Sequence, residues 1–422
     1  MERVLALRRK PLFFAIVVGP LVGAILGELV VRGDAKDVIG VLVVALACAL
    51  FWYRPLWGFA LVAAGAMFTA VRINGGVGHW RIDQVLGALS VLGTIRLRLH
   101  IRDIGPVGWA ALGWILVNGL ASLFAVDVFA SEKIVVWLVT DFLVFLYVRA
   151  IVKCYGMQST LRIVLAVSAG ELVVGMVLYA LHHGSGYRAT GTMLEADIFG
   201  TFSAATAMSA LAWARDHPWW GYALFSLGTA GVLFSGTRSA LTALAVGLLV
   251  WSVASRGNRR SVAVMVTVLM LPVGLAYSAL SSQLVGRLQN FSRASTLASR
   301  LVTVREALAG VATSTQHLLI GHGTNSFGQT HLAVLNGILV PNYLGVQLVT
   351  VLYDTGLVGA LAFLLILWLA GRAFCAARRH SHEVLRFGAI CGLLALFVGD
   401  QATQGVWFAY SWIYLAFLDT LM

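Results

Sequence analysis

Charge is scarce in this sequence. Only 11% of its 422 residues are charged and 59% are hydrophobic, whereas a soluble domain carries about a quarter charged residues. With a mean hydropathy of +0.87, an ordinary soluble fold is excluded. Acids are scarcer than bases: 18 Asp and Glu stand against 30 Lys and Arg, a formal charge of +12. The bases fall in small groups between apolar runs, so they report membrane topology, and no nucleic-acid partner is expected. Cysteine is sparse too. Cys48, Cys154, Cys375 and Cys391 have no paired spacing, which excludes a disulfide framework and a thiolate metal site. The alternating ten-residue segments of an outer-membrane barrel are also missing.

What the chain has instead is apolar runs long enough to cross ~30 Å of hydrocarbon at ~1.5 Å per residue. Candidate spans lie near 11–32, 38–53, 55–71, 83–95, 106–124, 132–151, 160–181, 198–214, 218–235, 237–255, 261–280, 347–371, 385–400 and 404–420. The runs 38–53, 83–95 and 385–400 are short, so the expected fold is all-α, a polytopic integral membrane protein of about 12–14 transmembrane helices. The first run follows Arg3, Arg8, Arg9 and Lys10 without a small-residue cleavage site, and is expected to stay as a span.

The basic residues test this topology independently. With the N-terminus in the cytoplasm, the inner loops hold 19 of the 30 bases, from the N-terminal cluster to Arg372, Arg378, Arg379 and Arg386. That excess in short loops is what the positive-inside rule requires. One long connection, 281–346, interrupts the pattern on the outside. A structureless loop of that length is uncommon, so helices are expected around 299–315 and 325–337. The chain therefore divides into a first part of the bundle (1–280), a large, partly helical extracytoplasmic loop (281–346) and a last part of the bundle (347–422).

Arginines on the outer side carry the chemistry. Arg188 ends a Gly-rich stretch with His182, His183 and Tyr187, Arg238 opens a span within Ser235–Ala240, and Arg287, Arg293, Arg300 and Arg305 come from the long loop. Glu306 is the only acid between 281 and 346. Guanidinium pairs bidentately with phosphate oxygens, so this excess is suited to an anion. Arg32, Arg72 and Arg81, at span ends, are expected to reach lipid headgroups. Glu28, Asp83, Asp141, Glu171, Asp197 and Asp400 lie in or near spans, where acids either pair or function. His182, His183, His317, His322 and His331 show no ligand spacing, so no metal or other cofactor is expected.

Three stretches resemble the O-antigen ligase/polymerase superfamily. Arg188-Ala189-Thr190-Gly191 leads to Glu195-Ala196-Asp197, similar to the family's R-x-x-G followed by D-P-N. Ser235-Gly236-Thr237-Arg238-Ser239-Ala240 is similar to its S-x-S-R-G/S-A. Ser299-Arg300-Leu301, Glu306-Ala307-Leu308, Gly321–Phe327 and Asp354-Thr355-Gly356-Leu357-Val358-Gly359 follow its S-R-L…A-L…G-x-G-x-x-x-F…E-T-G-L-x-G order. One departure stands out: where ligases of the family carry a His-Asn pair ahead of T-G-L-x-G, this chain has Gly345-Val346, with Pro341-Asn342 upstream.

The resemblance implies a GT-C-like membrane glycosyltransferase, inverting and metal-independent. It would move a glycan from an undecaprenyl-type polyprenyl-pyrophosphate lipid to an acceptor hydroxyl, on a glycan or lipid-linked glycan. The setting is the outer face of the cytoplasmic (inner) membrane, in O-antigen, lipopolysaccharide, capsule or exopolysaccharide synthesis. Arg188 and Arg238 are expected to meet the charge on the leaving pyrophosphate, with Arg300 and Arg305 binding beside them. His331, Glu195 and Asp197 are the candidate bases, and His322 and Asn342 complete the expected site. Two alternatives are a transporter using Glu171 and Asp141, and a metal-dependent glycosyltransferase using Asp34 and Asp37.

Overall fold

A computed structural model of the chain describes residues 35–68, 72–75, 78–182, 188–193, 195–214, 216–254, 295–335, 338–342, 344–379, 384–401 and 408–420. The expected spans 11–32 and 261–280, with Arg32, Asp34, His183, Tyr187, Arg287 and Arg293, lie outside these residues.

Within them the fold is a helix bundle. Its elements are α1 (Ala35–Tyr53), α2 (Pro55–Gly65), α3 (Ile82–Arg96), α4 (Pro106–Ser122), α5 (Val128–Tyr155), α6 (Met157–Leu181), α7 (Ala196–Trp213), α8 (Pro218–Ser235) and α9 (Arg238–Ala254). After the long loop come α13 (Gln347–Arg379), α14 (Val384–Asp400) and α15 (Ala409–Asp419), the loop itself holding α10 (Ser295–Val311), α11 (Thr315–Ile320) and α12 (Phe327–Thr330). Three helices, Val128–Tyr155, Met157–Leu181 and Gln347–Ala373, are long and apolar enough to cross a membrane alone, and shorter apolar helices accompany them. This is a multi-pass membrane protein.

The centre of the bundle is α7. Its sequence is mostly Ala, Ser, Thr and Gly, and every residue from Ile198 to Ala212 is buried. Small side chains let backbones approach, which drives helix association where apolar burial gives no gain over lipid. Accordingly α8, α14 and α9 all pack on α7. A Cβ added at Gly228 of α8 would lie 2.9 Å from the Ser203 carbonyl oxygen of α7.

Two hairpins depart from the all-helical expectation. Arg72–Gly75 pairs antiparallel with Gly78–Arg81. In the long loop the helix expected over 325–337 ends at Thr330, and Leu332–Leu335 then pairs antiparallel with Ile338–Pro341. The sequence between those strands is Asn336-Gly337. That dipeptide between apolar runs is the strongest short-range hairpin signal, and it outweighs the helical period.

Candidate functional site

Contacts at helix ends place the sequence motifs on one end of the bundle. Thr201, near the start of α7, lies against Gly399 at the end of α14. The Gln347 N–H, at the start of α13, donates to the Gln401 carbonyl just past α14 at 3.3 Å. Thr324 of the long loop donates to Asn118, near the end of α4, at 3.1 Å. The opposite end carries another set of charges, where Arg149 pairs with Asp419 at 2.6 Å and Lys153 with Asp103 at 2.7 Å.

At the loop end the first assembly joins the Arg188 and Ser235–Ala240 motifs. Arg188 pairs with Asp197. Its Nε donates to the Ser235 carbonyl at 2.7 Å and its Nη2 to the Thr237 hydroxyl at 2.8 Å. Thr237 in turn donates to Asp197 at 3.0 Å. The Ala189 N–H donates to the Phe234 carbonyl at 3.1 Å, so backbone as well as side chains ties the two stretches together. Arg188 and Asp197 each keep about a third of their side-chain surface, 32%, so the pair is held in place without being sealed. Glu195 is exposed beside it. Partial desolvation, then the charge of Asp197, raises the Glu195 pKa, and Arg188 acts in the opposite sense. Arg238, exposed, opens α9 next to this assembly. The partly positive N-terminus of that 17-residue helix reinforces its charge.

Below it, Glu171 holds the turn that follows Arg188. One carboxylate oxygen accepts from the Thr192 N–H and the other from the Thr192 hydroxyl, both at 2.7 Å. Its hydrogen bonds therefore serve the local fold.

The second assembly belongs to the long loop. Gly321–Phe327 wraps the start of α13: the Asn325 N–H donates to Asp354 at 2.8 Å and the Gly323 N–H to the Asp354 carbonyl at 2.9 Å. Gly356 kinks α13 with φ +63°. The backbone of Leu319 and Ile320 fills the place where a Cβ would project, so glycine is required there. Above Asp354 the rings of His317, His322 and Tyr353 stack at centroid distances of 3.9 and 4.2 Å. Burial, then His317, depresses the His322 pKa, as does His331 more weakly. His331 stacks on Phe327 at 4.2 Å, and its Nδ1 lies 2.8 Å from the Thr330 hydroxyl. The hairpin brings Asn342 back beside it, the Asn342 N–H donating to the His331 carbonyl at 2.9 Å. Arg300 packs against Gly345, its Nε 3.3 Å from where a Cβ would stand. With φ +65° at Gly345, a histidine there would be strained and would crowd Arg300. Arg305, on the same helix as Arg300, is exposed.

Arg81 corrects a sequence expectation. It is no headgroup anchor: its guanidinium bonds both oxygens of Asp83, at 3.1 and 2.9 Å, and lies between the rings of Trp137 and Phe408, at 4.7 and 4.8 Å. Two features of the folded chain were not singled out from sequence: the Thr237 bridge and the Tyr353 ring. Thr237 lies inside a recognised motif, and Tyr353 immediately precedes another, so position next to a motif was the available signal. Asp37 falls in α1. Among the described residues no group of three His, Cys, Asp or Glu side chains is placed to hold a metal ion.

The family comparison covers much of this site. Residues 223–364 match a family model described as O-antigen ligase. The match includes Arg238, Arg300, Arg305, His322, His331 and Asn342, and begins after Arg188, Glu195 and Asp197. No curated protein matches the chain. A multi-pass bundle whose described loop elements, kinked helix and arginine-bearing α9 all lie in that stretch is consistent with the match to the O-antigen ligase model over residues 223–364.

Proposed function

We propose that this protein transfers a glycan from a polyprenyl-pyrophosphate lipid to an acceptor hydroxyl at the outer face of the cytoplasmic membrane. The observation that carries the reading is the gathering of Arg188, Arg238 and Arg300 at the same end of the bundle as the long loop, within or beside the family-matched segment. The alternation of basic loops supports placing that end outside and the N-terminus inside.

In the reaction, the acceptor oxygen bonds to the anomeric carbon as the bond from that carbon to the pyrophosphate oxygen breaks. The leaving group gains negative charge, and fixed donors aimed at it lower the barrier. Arg238 takes this role, with Arg300 and Arg305 binding the remaining phosphate oxygens. Arg188 is shared between Asp197 and the ligand, and aligns the two motifs. His331 is the base: its Nδ1 is engaged by the Thr330 hydroxyl, which leaves Nε2 to accept the proton of the attacking hydroxyl. Asn342 holds His331 in place through the hairpin, and His322 backs the Tyr353 ring that meets His331 edge-on. Charge supplied by arginine leaves no step that requires a cation.

The test is direct. Purified protein in liposomes, given a lipid-linked repeat unit in excess EDTA, is expected to release polyprenyl pyrophosphate and form a longer or transferred glycan. An untouched donor, or turnover that returns only with Mg²⁺ or Mn²⁺, would overturn the reading. Whether long chains or single repeats accumulate on lipid when the protein is removed separates ligase from polymerase.

A further inference from the structure

A cavity of about 340 Å³ runs between α4, α9, α13, α14 and α15. Its walls are apolar, including Trp114, Val250, Ala370, Leu393 and Leu415, and one end is polar, formed by Gln347, Asp400 and Ser411. Gln347 is 1% exposed. Both its amide nitrogen and its amide oxygen lack a hydrogen-bond partner among the described residues. A buried amide left in that state costs free energy for each unsatisfied group. Packing alone would be served better by Leu or Met. An amide facing an apolar cavity is the arrangement of a binding site that orients a mostly apolar ligand with few polar groups.

The position of the polar end identifies the ligand. Gln347 is two residues beyond Gly345, against which Arg300 packs, so a cation stands just outside the rim. Asp400 stands at the rim itself, with Ser411 donating to it at 3.3 Å, and its carboxylate disfavours a phosphate inside. A lipid that keeps its phosphates at Arg300 and threads its hydrocarbon past Gln347 meets both conditions. We infer that this cavity receives the first isoprene units of the donor lipid, with the Gln347 amide donating to the oxygen that joins the chain to its phosphate. The inference rests on the function proposed above. A volume near the lower bound of small-molecule sites, about 300 Å³, takes only the phosphate-proximal part of a long chain.

The experiment compares donors carrying the same pyrophosphate-linked glycan on a methyl group, which leaves the cavity empty, or on a full-length chain. The native protein is expected to prefer the long donor by about tenfold or more in kcat/KM, a modest figure for several buried methylenes. Ala370→Trp, which fills the cavity, is expected to bring the two donors close to parity. Gln347→Met is expected to raise KM for the long donor severalfold while thermal stability holds or rises, because the orphaned amide is gone. That stability readout keeps the test decisive where Ala370→Trp misfolds. If Ala370→Trp folds and keeps the preference, or Gln347→Met leaves KM unchanged, the cavity is a packing feature and the inference is overturned. If the native protein consumes neither donor, the functional reading fails, and this inference with it.

Discussion

Two arginine–aspartate pairs, Arg81–Asp83 and Arg188–Asp197, share one chemistry and differ in burial. Arg81 and Asp83 keep 8% and 0% of their side-chain surface, whereas Arg188 and Asp197 each keep 32%. The first is closed over by Trp137 and Phe408. The second is braced by a hydroxyl and a backbone carbonyl and still reaches solvent. A buried pair is costly to break, because the partner left behind is an unpaired charge in a low-dielectric interior. An open pair can exchange part of its bonding for a ligand. The same two residue types thus serve the fold in one place and stay open to solvent in the other.

The largest expected effect tests the sealed half of that contrast. Arg81→Ala should destabilise the protein by about 3–5 kcal/mol, seen as a marked drop in the melting temperature in detergent. Arg81→Lys should fall short as well, because an ammonium reproduces neither the paired bonds to Asp83 nor the stacking on two rings. A melting temperature close to the native one for both variants would return Arg81 to the surface.

The open half predicts lost activity with retained folding. Arg238→Lys is expected to lower transfer by about 10²–10³-fold, the scale of removing one preorganised donor, nearly as far as Arg238→Ala, with little change in melting temperature. Near-native transfer by Arg238→Lys would move the leaving-group role to Arg188 or Arg300. Thr237→Val should be milder, about tenfold, the value of one charge-assisted hydrogen bond, because Arg188 keeps its other two partners. An unchanged rate would make the hydroxyl bridge incidental.

A pH effect should appear in the long loop. The depressed His322 pKa means that the folded loop favours the neutral ring. That contribution is complete above the ordinary value of about 6.5 and is lost as pH falls below it. Once intrinsic amide exchange, which itself slows as pH falls, is divided out, protection of 321–331 should drop between pH 7.5 and 5.5, and His322→Phe should remove most of the difference. Equal protection at both pH values in the native chain would sink this account. The smallest effect belongs to the opposite end: Lys153, 53% exposed, makes a surface pair worth at most about 1 kcal/mol. Lys153→Ala should barely move the melting temperature, and a drop as large as that of Arg81→Ala would erase the distinction drawn from burial.

By itself the sequence determined that this is a membrane bundle and placed most of its described apolar helices, though it extended the loop helix at 325–337 past Thr330 and stopped the helix at 347–371 short of Arg379. Those features depend on local composition and on the length needed to cross hydrocarbon, both properties of contiguous residues. It also made the motif residues legible, Arg188, Asp197, Arg238, Arg300 and the Asp354–Gly359 turn, because they come as short runs. Only the tertiary structure decided how those runs meet: that Thr237 bridges Arg188 and Asp197, that Arg300 lies against Gly345, and that a hairpin returns Asn342 to His331. It alone decided that Arg81 is sealed and that Gln347 faces a cavity. An arginine at a span end and a glutamine at a helix start look alike in sequence whether they face lipid, water or a partner. The distinction depends on which distant helices close over them, and hydropathy does not encode that.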